Sequence, residues 1–429
     1  MGIGDACGNL SLDSSLRRTL KAIFLFFIFL PQTTLATIRT VSVSGQLKSI
    51  RLAIELSSPG DTIMVNQGTY REGNLLIRKP LTIIGLNFPV LDGELKYEIF
   101  TIAADSVNLV GLRMINTGIA SINDIAAVKG LDVMRLRVIN NQFENTFFGI
   151  HLSNSQNCLI EGNTLSSDAR SEHQIGNGIH LWKCDHVTIR KNQIHGHRDG
   201  IYFEFVTNSL VSENMSYGNM RYGLHFMFSH DDDYINNTFR NNGAGVAVMY
   251  TKGVKMIGNR FEENWGPATY ALLLKDIRDS RIESCKFLKS TVGVYMEGSS
   301  RITFKANEFK ENGWAMKIQA NCDDNVVTEN NFLSNTFDIA TNGSISLNTI
   351  SHNYWDKYEG YDLDKDGVGD VPFHPVSLYG MIVEKMPTAV MLWRSFLVFL
   401  LDRAEKVVPA VTPENLVDSL PAMKSYDRD

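Results

Sequence analysis

The sequence predicts an all-β chain wound as a right-handed parallel β-helix, a solenoid of about 22 residues per coil. The first observation is a recurring phrase, Gly-apolar-x-apolar, followed fourteen residues after its Gly by Asn. It runs from Gly149 to Asn163, Gly178 to Asn192, Gly200 to Asn214, Gly223 to Asn237, Gly245 to Asn259 and Gly293 to Asn307. Ala271 and Cys285 take the same two places in one further unit. The second is spacing: the Asn positions step by 22, 23 and 22 residues between 192 and 259. The third is period-two alternation within each unit, the mark of short strands. Such a unit cannot bury its apolar face alone, but stacked units share one core. Asn and Gly are expected at the corners, where they tolerate left-handed backbone, and stacked Asn amides are expected to bond along the column. A β-propeller would need a repeat nearly twice as long.

The elements follow in chain order. Arg17, Arg18 and Lys21 precede an apolar run from Ala22 to Leu30, then Pro31 and the small-residue stretch Thr34-Leu35-Ala36. Residues 1–36 therefore read as a secretory signal, which places the mature chain in the periplasm. Residues 37–104 read as an N-terminal cap and first coils, with a short helix near 49–56 closing the end of the core. The β-helix proper is expected over 105–375, and a C-terminal helix with an extended docking tail over 376–429. Cys158, Cys184, Cys285 and Cys322 are widely spaced with no CxxC pair, so no disulfide framework is expected.

Composition narrows the function. With 44% apolar and 21% charged residues the chain is neither disordered nor a polytopic membrane protein. A net charge of −6 without basic blocks makes nucleic acid a poor partner.

The pleat then selects an outward wall. In Gly-apolar-x-apolar-x the third and fifth residues face out. The third position gives His151, His180, Tyr202, His225, Ala247, Leu273 and Tyr295; the fifth gives Ser153, Trp182, Glu204, Met227, Met249, Lys275 and Glu297. Eight of the ten histidines lie between residues 151 and 230. Thioether and imidazole together suit Cu(I), so Met227, Met249, His225, His180, His230 and Glu204 are the copper candidates. A dry protein-docking face is the competing use of the same wall, with Trp182 and Tyr202 as contacts.

Asp362-Leu363-Asp364-Lys365-Asp366-Gly367-Val368-Gly369-Asp370 opens like a calcium loop, with Asp362, Asp364, Asp366 and Asp370 as candidate ligands. The glutamate expected at its twelfth position is missing. Further on, Met391, Leu392, Phe396, Phe399 and Leu400 form a helical apolar stripe too short to span a bilayer. Trp393, Phe396 and Phe399 are candidate partner contacts there.

Several runs resemble the NosD family. They are His197-Arg198-Asp199-Gly200-Ile201-Tyr202-Phe203-Glu204, Arg221-Tyr222-Gly223-Leu224-His225-Phe226-Met227-Phe228-Ser229-His230-Asp231-Asp232, Asn242-Gly243-Ala244-Gly245-Val246-Ala247-Val248-Met249-Tyr250, Asn264-Trp265-Gly266-Pro267 and Asn353-Tyr354-Trp355. The resemblance implies a periplasmic, non-catalytic accessory protein for copper-site maturation in nitrous oxide reductase. It implies the permease and ATPase of an ABC transporter as partners, with membrane contact only through the permease. It also implies a lipoprotein copper chaperone as the source of transient Cu(I), and the reductase as client. The rival class is a β-helix polysaccharide lyase, epimerase or carbohydrate-binding protein, for which Glu204, Glu297, Lys275 and Arg198 would be the working residues. The aromatic and Met-rich wall between them fits that chemistry poorly.

Overall fold

A computed structural model describes residues 36–119, 124–168, 171–267, 269–343, 347–407 and 416–427. The expected leader lies outside the described residues except for Ala36. The chain winds through three parallel sheets, one strand of each per coil. The first has 14 strands, from Ile38–Val41 to Thr349–Ser351; the second has 13, from Thr69–Tyr70 to Tyr354–Trp355. The third has 12, from Leu75–Ile77 to Phe337–Ala340. Each strand pairs in parallel with the strand one coil on, so the predicted solenoid is the observed fold.

The glycine that opens each phrase is there for space rather than for a left-handed turn. A Cβ on Gly200 would stand 2.1 Å from Ser216 Oγ and 2.6 Å from the Gly223 carbonyl oxygen. On Gly245 it would stand 2.2 Å from the Ala271 carbonyl oxygen. The left-handed corners belong instead to residues such as Asn140, Asn145, Asn236 and Asn241, with φ between 49° and 54°. Asn bears that conformation at lower cost than most residues, because its short amide bonds locally.

The repeated Asn forms the expected column at the corner between the first two sheets. Asn214 N–H and Nδ2 both donate to Asn237 Oδ1 at 3.0 Å. Asn237 N–H and Nδ2 donate in turn to Asn259 Oδ1 at 2.9 and 3.0 Å. Cys285 interrupts the column, with Asn259 Nδ2 3.9 Å from its Sγ. At the far end, one carboxylate oxygen of buried Asp418 accepts from Asn353 N–H, Asn353 Nδ2 and Trp355 Nε1 at 3.0, 3.1 and 2.9 Å. Beneath the column the second sheet sends in Phe261, Phe287, Phe309, Phe332 and Trp355, stacked with centroids 4.0 to 4.9 Å apart. Cys158, Cys184, Cys285 and Cys322 are free and buried.

The corner between the third and first sheets carries one charged residue in a buried place. Ser209 Oγ accepts from Val187 N–H and Ser280 Oγ from Val254 N–H, and between them Asp232 Oδ1 accepts from Ser209 N–H at 2.8 Å. Asp232 is fully buried and its Oδ2 has no partner among the described residues. Burial, only partly opposed by the Ser209 N–H, pushes its carboxyl up to about 8. The folded chain thus keeps a proton that the unfolded chain releases above about pH 4, and this group's contribution falls as pH rises toward about 8. Buried imidazoles with depressed pKa act in the opposite sense and only below about pH 6.5. Between pH 6.5 and 8, Asp232→Asn should therefore flatten the loss of stability seen in the wild type by urea unfolding. Parallel slopes in the two proteins would contradict this assignment.

Both ends are closed. Helix α1 (Ile50–Leu56) buries Ile50, Ala53 and Ile54 over the first coils, and Ser49 caps it. Glu72 accepts from the N–H groups of Ile50 and Arg51 at that helix start, at 2.7 and 2.9 Å. At the other end Phe373, Val376 and Leu416 pack on the core. The stripe expected from 391 onward is divided: a 3₁₀ turn (Pro387–Leu392) precedes the helix Phe396–Val407, and a further helix (Leu378–Lys385) comes first. We number them α2 (Leu378–Lys385) and α3 (Phe396–Val407). Tyr379 and Val383 of α2 pack on Val292, Trp314 and Phe337 outside the third sheet. Lys317 Nζ bonds Glu384 Oε2 at 2.6 Å across that contact.

Candidate copper face

Side-chain direction on the third sheet follows from burial of alternate residues. In Tyr222–Met227, Leu224 and Phe226 are fully buried in the core while Met227 is half-exposed. Parallel pairing then sets the columns. His151 pairs with His180, His180 with Tyr202, Tyr202 with His225, and His225 with Ala247. Two residues along, Trp182 pairs with Glu204, Glu204 with Met227, and Met227 with Met249. The wall expected from the pleat is therefore present, with Met227 and Met249 on adjacent rungs, about 4.8 Å apart.

The imidazole column is closely stacked. His151 to His180 and His180 to Tyr202 are each 4.8 Å between centroids, and Tyr202 to His225 is 5.1 Å. Phe148 packs edge-on to His180, and Tyr222 lies 4.7 Å from His225. Burial depresses the His180 and His225 imidazoles to about 3 and about 4, helped by His151 and Arg198 for the first and by Arg221 and Arg198 for the second. They are neutral at physiological pH; the Nδ1 lone pair of His180 accepts from Asn177 Nδ2 at 3.2 Å, whereas His225 keeps a lone pair free to ligate. Both nitrogens of His225 and Nδ1 of His151 lack a hydrogen-bond partner among the described residues.

The sequence missed Asp199. Its Oδ2 is buried, has no hydrogen-bond partner among the described residues, and stands 4.0 Å from His225 Nδ1. Burial raises its carboxyl, against the pull of Arg221 and Arg198. Aligning the residue before each Gly, which gives Asn177, Asp199 and Tyr222, is the signal that would have found it.

Not every candidate joins the wall. His230 lies past the corner, on a flanking turn bridged to Thr207, and its Nδ1 accepts from Lys252 N–H at 3.4 Å. Glu204 is on the wall, accepting from Tyr202 Oη at 3.3 Å. Trp182 faces out with Lys183 Nζ 4.3 Å above its ring. Trp393 stacks on Tyr379 beside α2, whereas Phe396 and Phe399 of α3 are exposed.

In the acidic loop, carboxylate oxygens of Asp362, Asp364 and Asp366 lie within 4.8 Å of one another. Asp362 also accepts from the N–H groups of Lys365, Asp366 and Gly367. Asp370 does not join that group; its Oδ2 accepts from Leu363 N–H at 2.7 Å.

Comparison with known proteins agrees with the fold. Residues 166–360 match the family described as "Periplasmic copper-binding protein (NosD)". A "Probable ABC transporter binding protein NosD" of Pseudomonas aeruginosa is 25% identical over 409 residues, covering 91% of this chain and 93% of the relative. A protein of the same description from Stutzerimonas stutzeri is 24% identical over 311 residues, 68% of this chain and 70% of the relative. Among solved structures, the catalytic unit of a GH87 α-1,3-glucanase from Streptomyces thermodiastaticus has a TM-score of 0.59 at 16% identity, covering 71% of this chain and 65% of that one. The Streptococcus pneumoniae surface adhesin PfbA has a TM-score of 0.52 at 13% identity, over 71% of this chain and 95% of that one. At such identities these two show a shared β-helix and nothing of activity.

Proposed function

We propose that this NosD-like chain works in the periplasm as the copper-handling partner of an ABC transporter, relaying Cu(I) toward nitrous oxide reductase without catalysing a reaction itself. One observation carries the reading: two outward thioethers, Met227 and Met249, stand on neighbouring rungs beside a column of buried neutral imidazoles. Soft sulfur with imidazole favours Cu(I) over the harder ions that carboxylates select. The ion is cargo here, held by Met227 and Met249 with His225 adjacent. His180 and Glu204 border the same wall.

The test is a Cu(I) competition against bicinchoninate. The wild type should take the ion, and Met227→Leu with Met249→Leu should weaken binding at least tenfold, or about 1.4 kcal/mol. Equal affinity in the two proteins rejects the site. In a denitrifying host, the same double variant should leave nitrous oxide reductase short of copper by metal analysis; a fully loaded reductase would count against the relay.

The transporter contact is assigned to α3 and the turn before it. Phe396, Phe399 and Met391 are 73%, 52% and 86% exposed, an apolar surface open to solvent. No helix among the described residues is long and apolar enough to cross a membrane, so a permease would be met from outside. A lipoprotein chaperone is the proposed donor. The Asp362, Asp364 and Asp366 group is proposed to hold Ca²⁺. Chelation should then lower the melting temperature by a few degrees through linkage, and an unchanged curve would reduce the loop to an acidic turn.

A further inference from the structure

A polar cavity of about 470 Å³ opens at the N-terminal end of the third sheet, and neither the fold nor the copper reading uses it. The turns entering the first three strands of that sheet, Leu75–Ile77, Phe100–Ile102 and Ala126–Leu131, supply Asn74, Glu98 and Asp124 to its wall. Glu98 and Lys129 are only 17% and 18% exposed, and they pair at 3.1 Å. The other Glu98 oxygen accepts from Asn74 Nδ2 and Thr101 Oγ1, so this carboxylate is fully engaged within the wall. The Lys129 ammonium has donors to spare, with no second partner among the described residues.

The loop 93–97 brings Lys96 and Tyr97 to the opposite rim. Leu95 N–H donates to the Asn116 carbonyl at 2.8 Å, and Gly118 N–H to the Tyr97 carbonyl at 3.1 Å. The two segments lie so close that a Cβ on Gly118 would stand 2.6 Å from the Lys96 carbonyl oxygen. One face of the Tyr97 ring rests on Gly73, where a Cβ would stand 3.6 to 3.8 Å from three ring carbons. The rim is therefore fixed in place before any ligand arrives.

Two opposite charges are left facing the cavity. Lys96 is exposed, with no ion-pair partner among the described residues. Asp124 is 60% exposed, and its Oδ2 stands 4.0 Å from Nδ1 of buried His151, which itself lacks a hydrogen-bond partner among the described residues. An ammonium and a carboxylate that share one cavity without pairing complement a ligand that carries both charges. A simple anion would meet Asp124, and a simple cation would meet Lys96 and Lys129. An uncharged sugar would leave both groups without a counter-charge.

We infer that this cavity binds a small zwitterion of the α-amino-acid class. Lys129 and Lys96 take its carboxylate and Asp124 its ammonium, in charge-assisted hydrogen bonds. Tyr97 and Ile125 complete the lining and favour an apolar side chain. The volume is within the range of small-molecule sites. None of these residues is a copper candidate, so the inference stands apart from the copper reading: a chain that takes up no Cu(I) is still expected to bind the amino acid.

The experiment is isothermal titration of the full mature chain with L-leucine, glycine, N-acetyl-leucine, leucinamide and cellobiose. Leucine should bind, and glycine more weakly. N-acetyl-leucine, which lacks the ammonium, and leucinamide, which lacks the carboxylate, should each bind at least tenfold more weakly than leucine. Asp124→Asn and Lys96→Met should weaken leucine binding at least tenfold while leaving the melting temperature of the unliganded protein unchanged, as expected of exposed side chains. No heat from leucine at about 10 mM, equal binding of either analogue, glycine binding as tightly as leucine, or binding of cellobiose alone would each overturn the inference. So would wild-type leucine affinity in both variants.

Discussion

Asn237→Ala is expected to lower the free energy of unfolding by about 3–5 kcal/mol, although the residue is far from both ends and touches no proposed ligand. Its amide holds four bonds. Oδ1 accepts from Asn214 N–H and Nδ2, while Nδ2 donates to the Val211 carbonyl and to Asn259 Oδ1. Alanine strands two buried donors below, and each costs roughly 1–3 kcal/mol when left unpaired. Substituting the neighbour Asn236, which only supplies the left-handed corner with φ of 54°, should cost nearer 1 kcal/mol. Urea unfolding of the two variants separates the roles. Similar small losses would show that the column contributes little.

The second large effect is expected at the end of the solenoid. Asp418→Ala removes the acceptor for Asn353 N–H, Asn353 Nδ2 and Trp355 Nε1. Asn353 N–H and Trp355 Nε1 lose their acceptor at once, while Asn353 Nδ2 keeps the Val327 and Ser351 carbonyls, a local cost of about 2–5 kcal/mol. Because each coil contacts mainly its neighbours, this damage should stay local. Hydrogen exchange should rise across the last strands, Val326–Thr328 through Tyr354–Trp355, and leave Tyr222–Met227 as protected as in the wild type. Uniform loosening of the whole chain, or no change, would contradict a terminal cap. The same geometry bears on truncation. Residues 416–427 close the core as well as follow the helices, so a deletion from 388 onward would remove the cap together with the exposed face of α3.

What the sequence made legible was whatever repeats. The coil length, the Asn column, the odd place of Cys285 and the outward columns from His151 to Glu297 all follow from register, and register is set by period-two burial. Left-handed Asn and Gly at the corners were legible, as Asn236, Gly162 and Gly258 show, but the reason for the opening glycines was not. Their Cβ positions are filled by the neighbouring coil, a crowding that exists only once coils stack. Asp199 was missed because it precedes the phrase on which the alignment was built. Asp232 and the cavity beside Lys129 were missed for a related reason: nothing in one unit shows which corner residues come together until successive coils are compared. The helices were the least legible. The split between the 3₁₀ turn and α3, and the packing of α2 on Trp314 and Phe337, come from contacts between residues dozens of positions apart.

The central claim is that Met227 and Met249 hold a soft monovalent ion on the outer wall of the third sheet. Silver(I), which shares the thioether preference of Cu(I), scatters strongly enough to be located by anomalous diffraction from crystals of the mature protein. The account predicts a peak bonded to both sulfurs with His225 beside it. A peak at the acidic loop alone, or no ordered silver against the third sheet, would contradict it.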